Sequence, residues 1–353
     1  MTPISVCIIT KNEEQNLDRC LSCIKDYPFE IVVVDTGSTD RTVEVAKKYT
    51  ENIYHFDWIK DFAAARNFSI SKASNDWILV LDADEFTYEL DLEEIYRLIE
   101  QHPTGIGRLL RSSEDIAQTT SVDRVERLFN RNVYHYERPI HEQVLPIDKK
   151  KTKLYTYPIP LCAEHAGYTG TREDINKKAM RNLEILLASE KDFPDAYTYY
   201  QIGQSYYIMS EWKNACNYFE KALSFPLNPD AEYVRVMVVN YGYSLLHDER
   251  LNDAVQFFEE YYQYFETYAD YVFLVGYIYM KTGNYMKSAL NLIKATTLTD
   301  FLVEGTNSFM AYFHLGVVYE MIGNTEMALM FYEKAGDYPK ALEQVARLKK
   351  TPE

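Results

Sequence analysis

Two aspartates separated by one alanine, Asp82-Ala83-Asp84, follow an apolar run of five residues, Trp77-Ile78-Leu79-Val80-Leu81. Hard carboxylate oxygens at that spacing suit Mg²⁺ or Mn²⁺ carrying the diphosphate of a substrate. A pair of acids after a strand is also the composition of a solvated turn, so the assignment depends on its surroundings. Three further positions carry reactive groups. The segment Pro139-Ile140-His141-Glu142 offers a carboxylate and an imidazole for proton transfer. His165 is a late histidine able to act as a ligand, and Arg66 has the planar fork that matches phosphate oxygens.

These side chains need a scaffold that brings them to one edge. Residues 4–10 and 31–34 are continuous apolar runs like 77–81, the pattern of strands buried on both faces. The first run is followed by Lys11-Asn12-Glu13-Glu14 and a helical stretch with Leu17, Cys20, Leu21 and Ile24 on one face. The second ends in Asp35-Thr36-Gly37-Ser38-Thr39-Asp40, where Gly37 permits a tight turn and Ser38, Thr39 or Asp40 caps the next helix. Strands alternating with helices predict an α/β, mostly parallel, doubly wound sheet. Such sheets bind ligands outside the carboxyl ends of their strands, and all three polar clusters fall there.

Four segments come in an order and at spacings similar to those of family 2 glycosyltransferases with the GT-A fold. They are Thr10-Lys11-Asn12-Glu13-Glu14, Val33-Val34-Asp35-Thr36-Gly37-Ser38-Thr39-Asp40, Asp61-Phe62-Ala63-Ala64-Ala65-Arg66-Asn67 and Leu81-Asp82-Ala83-Asp84-Glu85. The resemblance covers residues 1–170. It implies a catalytic domain for an inverting transferase that uses a nucleotide-sugar, commonly a UDP-sugar, with Mn²⁺ or Mg²⁺. Asp84 then binds the diphosphate through the metal. Asp82 either shares the metal indirectly or holds the ribose, with Ala83 between them in the nucleotide-sugar site. His165 is a third ligand or a structural histidine. Asp35 accepts from the uracil imide N–H or serves only its own turn. Thr10 lines the same pocket, with Asn12 or Glu13 near the ribose. Arg66 pairs with the diphosphate or orients the sugar, unless a salt bridge to Asp61 or Asp57 holds it. Glu142 fits the catalytic carboxylate, with His141 orienting or replacing it. Asp123 and Glu126 compete for that role, and each of the four has Arg124, Arg127 and Arg138 as alternative partners. The Gln-x-x-Arg-Trp segment of processive polysaccharide synthases is absent.

The second half is repetitive. Tyr199, Ile202, Gly203, Tyr206, Ala215, Phe219 and Ala222 match the small-and-large pattern of a tetratricopeptide helix pair. The register recurs with Gly242, Ala254 and Phe258, then with Gly276, Tyr279, Leu292 and Ala295. It closes with Leu315, Gly316, Tyr319, Ala328, Tyr332 and Ala335. The glycines are 39, 34 and 40 residues apart. We therefore expect a connecting helix within 171–194, with Ala179, Leu183, Leu186 and Leu187 as its apolar stripe, and an α-solenoid of about four repeats over 195–353. Such an array binds a peptide or protein acceptor, or it dimerises the protein or braces the enzyme. The layout resembles the glycocin S-glycosyltransferases, which modify cysteine or serine of peptides. Flagellin modification, transfer to a lipopolysaccharide or cell-wall glycan, and a catalytically silent scaffold are the alternatives.

Charge and cysteine content bound the setting. Residues 1–170 hold 20 Lys and Arg against 28 Asp and Glu, and the remainder 17 against 25, so each half carries −8. That excludes a general nucleic-acid binder, and an anionic donor needs local cations, a metal or backbone amides. No apolar run approaches the ~20 residues of a membrane span. Five cysteines, several on apolar faces, predict reduced thiols and a cytoplasmic protein.

Overall fold

A computed structural model describes residues 2–114, 120–166 and 171–350 of the chain. The expected end of the last strand, Gly167 and Tyr168, lies outside them. The chain divides into two compact units, Met1–Ser189 and Glu190–Glu353.

The first unit begins β1 (Ile4–Thr10), α1 (Glu14–Ile24), β2 (Glu30–Asp35), α2 (Thr42–Ala46), β3 (Ile53–His55), α3 (Phe62–Lys72) and β4 (Trp77–Asp82). It continues with β5 (Glu85–Leu90), α4 (Leu92–Gln101), β6 (Ile106–Glu114), β7 (Thr120–Asn130), β8 (Tyr134–Glu137), β9 (Gln143–Pro146), β10 (Thr156–His165) and α5 (Arg172–Ser189). Eight strands form one sheet in the order β3-β2-β1-β4-β7-β6-β10-β5, and β8 pairs with β9 separately. β3, β2, β1 and β4 are mutually parallel, whereas β7 and β5 run against their neighbours. The apolar runs are continuous because alternate residues feed two cores. Val6 and Ile8 of β1 pack with Leu17 and Leu21 of α1, while Cys7 packs with Val80, Phe129 and Tyr134. Each fully buried aliphatic side chain contributes about 1.5–3 kcal/mol.

The strand order reverses between β1 and β4, which opens a crevice at their carboxyl ends. Ile9 lies beside Asp82 across the two strands, and Thr10 beside Asp35. Local caps fix the loops around this edge. Asp61 accepts from the amide of Ala64 at 2.8 Å and caps α3. Of the three candidates before α2, Asp40 accepts from the amide of Thr42 at 3.0 Å. Ser38 and Thr39 instead join Asn12, through its amide and its side-chain oxygen. On α5, Ala179, Leu183 and Leu186 are buried as expected, but Leu187 is 38% exposed and Ile185 takes its place in the stripe. That helix belongs to the first unit rather than standing between the two.

The second unit is all helix. Its pairs are α6 (Ala196–Ile208) with α7 (Trp212–Leu223), α8 (Glu232–His247) with α9 (Leu251–Phe265), α10 (Ala269–Lys281) with α11 (Tyr285–Ala295), and α12 (Phe309–Met321) with α13 (Thr325–Lys334). α14 (Pro339–Lys350) follows. A glycine on the first helix of each pair faces a large side chain on the second. A β-carbon at Gly203 would lie 2.7 Å from the Phe219 ring, and one at Gly316 would lie 2.5 Å from Tyr332. Gly242 faces Phe258 and Gly276 faces Leu292 in the same way. All four partners stand sixteen residues after their glycine. The unequal glycine spacing therefore arises between pairs, in residues 224–231 and 296–308.

Candidate active site

The end of β4 is held by a chain of charges. Asp82 accepts from Arg66 Nη2 at 2.7 Å through Oδ1 and from Arg127 Nη2 at 2.5 Å through Oδ2. Arg66 Nε also donates to Glu142 Oε1 at 2.5 Å. Arg127 Nη2 donates to Glu85 Oε1 at 2.7 Å, and the other Glu85 oxygen accepts the Asp82 amide at 3.0 Å. Glu85 is fully buried, and both arginines are below a tenth exposed. Burial alone would raise the Asp82 carboxyl, but Arg127 and Arg66 hold it well below the usual carboxylate range. Burial would likewise lower both arginines, and the carboxylates raise them instead.

Asp84 is oriented differently. Its Oδ2 stands 3.4 Å from His165 Nε2 at the end of β10, and the other ring nitrogen of His165 lies 3.4 Å from the Ser113 hydroxyl. A hydroxyl on one ring nitrogen sets which face of the other is presented to a ligand. The Asp84 carboxylate suits Mn²⁺ or Mg²⁺ with water and phosphate completing the shell, and the imidazole nitrogen beside it favours Mn²⁺ over the harder Mg²⁺. Asp82 has both oxygens engaged by arginines, and among the described residues no cluster of three or more ligating side chains occurs.

Asp84, His165, Glu142 and His141 all line one cavity of about 450 Å³, together with Thr10, Glu13, Arg66, Asp82 and Ala83. His141 has a left-handed backbone, φ +50°, a conformation uncommon for a residue with a side chain. Burial pushes its imidazole below the ordinary value, partly offset by Glu142. Burial also raises the Glu13 carboxyl, against the bond it accepts from Asn16. Among the described residues, the Thr10 hydroxyl and Arg66 Nη1 are buried without a hydrogen-bond partner.

Asn12 and Asp35 are engaged in the loops beside the cavity. Asn12 has φ +56° and holds Ser38 and Thr39. Asp35 accepts from the amides of Gly37 and Ser38 at 3.1 Å, with His55 Nδ1 3.7 Å away. The expected alternatives for Arg66 do not form, since Asp61 caps α3 and Asp57 pairs with His55 at 3.0 Å. Asp123 pairs with Arg111 at 2.6 Å, and burial raises Glu126.

Sequence reasoning missed Glu85 and Arg111 and gave Arg127 only as a competing partner. A charge beside wholly buried neighbours, as in Arg127-Leu128-Phe129, was the available signal. It also missed the wall made by α5, from which Lys178, Arg181 and Asn182 line the cavity.

Residues 5–178 match the family model described as glycosyl transferase family 2, and residues 196–228 and 311–335 match a tetratricopeptide repeat model. A TPR repeat-containing protein of Synechococcus elongatus is 37% identical over 213 residues, 58% of this chain and 52% of that protein. The SPbeta prophage-derived glycosyltransferase SunS of Bacillus subtilis is 26% identical over 233 residues, 63% of this chain and 54% of that protein. An uncharacterised glycosyltransferase of Rickettsia typhi is 36% identical over 102 residues, 29% of this chain and 35% of that protein. The chain spans about half the length of the first two relatives. Through residues 5–178 the chain belongs to glycosyl transferase family 2, and it joins that domain to tetratricopeptide repeats.

Proposed function

We propose that the chain is an inverting glycosyltransferase that moves a sugar from a UDP-sugar to a Cys, Ser or Thr side chain of a peptide or protein held by the repeat unit. The observation that carries this reading is the meeting of Asp84 and His165 in the cavity that Glu142 also lines. Asp84 and His165 would hold the divalent cation, Mn²⁺ or Mg²⁺, which would supply positive charge to the departing diphosphate. Glu142, fixed by Arg66, takes the acceptor proton as the acceptor oxygen or sulfur bonds to the anomeric carbon and the bond to the diphosphate oxygen breaks. His141, its basicity lowered by burial, stays neutral at pH 7 and keeps a lone pair beside that carboxylate. The unpartnered Thr10 hydroxyl offers a hydrogen bond to the nucleotide, and Asp82 acts by holding Arg66 in place.

For the acceptor, the support lies in the second unit. Repeat arrays present extended surfaces to peptides and proteins. This one has a cavity of about 720 Å³ whose walls include Tyr243, Phe273, Tyr277 and His314. Rigid aromatic walls suit a peptide ligand at low entropic cost. Five free cysteines support a cytoplasmic setting, and among the described residues no helix is long and apolar enough to cross a membrane.

The test is nucleotide release from UDP-, GDP- and dTDP-sugars with Mn²⁺, Mg²⁺ or EDTA, in the parent and in Asp84→Asn. Slow release of UDP from one donor, lost in EDTA and in the variant, is the expected result. Absence of metal-dependent binding by any of these donors at millimolar concentration would overturn the reading.

A further inference from the structure

We propose that Arg181 on α5 binds the leaving diphosphate, so that the helix after the sheet completes the nucleotide site. The ligand's identity rests on the glycosyltransferase reading above. Lys178, Arg181 and Asn182, at helical spacings of three and four, share one face and line the same cavity as Asp84, His165 and Glu142. The neighbouring stripe of α5, Ala179, Leu183 and Leu186, is buried and fixes the helix against the unit.

Arg181 differs from the other arginines of the cavity. Arg66 is paired with Asp82 and Glu142, and Arg111 with Asp123. Among the described residues no carboxylate lies within ion-pair distance of Arg181. Its guanidinium rests 5.6 Å from the Phe62 ring and donates to Asn182 Oδ1 at 3.0 and 3.3 Å. A guanidinium held by an aromatic face and one amide oxygen keeps N–H donors for two oxygens of a phosphate group. Its positive charge is felt inside the site, where it helps to lower His141.

Electrostatics favours a diphosphate over an acidic acceptor. Asp84 cancels half the charge of any divalent cation it holds, so a departing nucleoside diphosphate requires more positive charge nearby. An acidic acceptor would instead meet the carboxylates of Glu13 and Glu142.

Calorimetric titration with Mg²⁺ present tests this in the full chain, with UDP, GDP, dTDP, their nucleosides and inorganic pyrophosphate as probes. Arg181→Gln should weaken the preferred nucleoside diphosphate and pyrophosphate about tenfold or more, as for one lost charge-assisted contact. The nucleoside should bind unchanged, and Arg181→Lys should recover part of the loss. Diphosphate affinity within twofold of the parent, or an equal loss for the nucleoside, would overturn the role of Arg181 alone. Failure of the parent chain to bind any nucleoside diphosphate would overturn the transferase reading and this inference with it.

Discussion

At the crevice of the sheet, Arg66 and Arg127 are each held between two carboxylates with their side chains 7% and 8% exposed. In the repeat unit, ion pairs such as Lys287 with Glu259 are half exposed, and inside each helix pair a glycine packs against a large side chain, a ring in three pairs and Leu292 in the other. The difference follows from what each region must hold. Buried ion pairs contribute little net stability, because desolvation offsets their attraction, but they fix direction and spacing. That suits an edge where carboxylates and an imidazole must meet a substrate at set positions. Close packing of small against large residues gives stability without fixing charges, which suits a scaffold.

The comparison breaks if removing one charge at the edge proves harmless. Arg127→Met leaves Asp82 and Glu85 without their shared cation and should destabilise the first unit by about 3–5 kcal/mol. Hydrogen exchange resolved along the chain should show that loss in Met1–Ser189 and none in the second unit. A loss shared equally by both units would remove the distinction. Gly316→Val tests the other side by forcing a β-carbon against Tyr332, and overpacking of this kind costs about 1–3 kcal/mol. Here the exchange should rise in α12 and α13 alone. The smallest effect concerns pH. Because the folded Asp82 carboxyl is held below its unfolded value, its contribution is complete above about pH 4 and declines as pH falls further. The stability gap between the parent and Asp82→Asn should therefore stay constant from pH 7 to 5 and shrink only in stronger acid. Denaturant unfolding across that range measures it, and a gap that shrinks between pH 7 and 5 would contradict the ion-pair assignment.

The two regions also differ in how far they can be read from residues alone. β1, β2 and β4 are legible because burial on both faces leaves an unbroken apolar run. β6 and β7 are less so, since Arg108, Arg111, Arg124 and Arg127 interrupt them, and the carboxylates that justify Arg111 and Arg127 come partly from residues 82 and 85. Asp84 and His165 are 81 residues apart, so only their types, not their meeting, can be anticipated. Glu85 looks like one more solvated acid after a strand, yet it is fully buried. α5 was legible as a helix, but its cationic face gains meaning only beside the cavity. In the repeats the decisive partners are sixteen residues apart within one helix pair, so the pattern survives in the linear sequence.

That constant offset has an evolutionary consequence. A residue gained or lost in either helix between the glycine and its large partner turns that side chain about 100° away from its gap, so such a change breaks the contact. The same change in 224–231 or 296–308 shifts no pairing, and those stretches have absorbed the length variation of this chain. The unit that can be duplicated or deleted without repair is the whole helix pair. The array can thus lengthen or shorten by recombination between pairs while the register inside each is inherited intact.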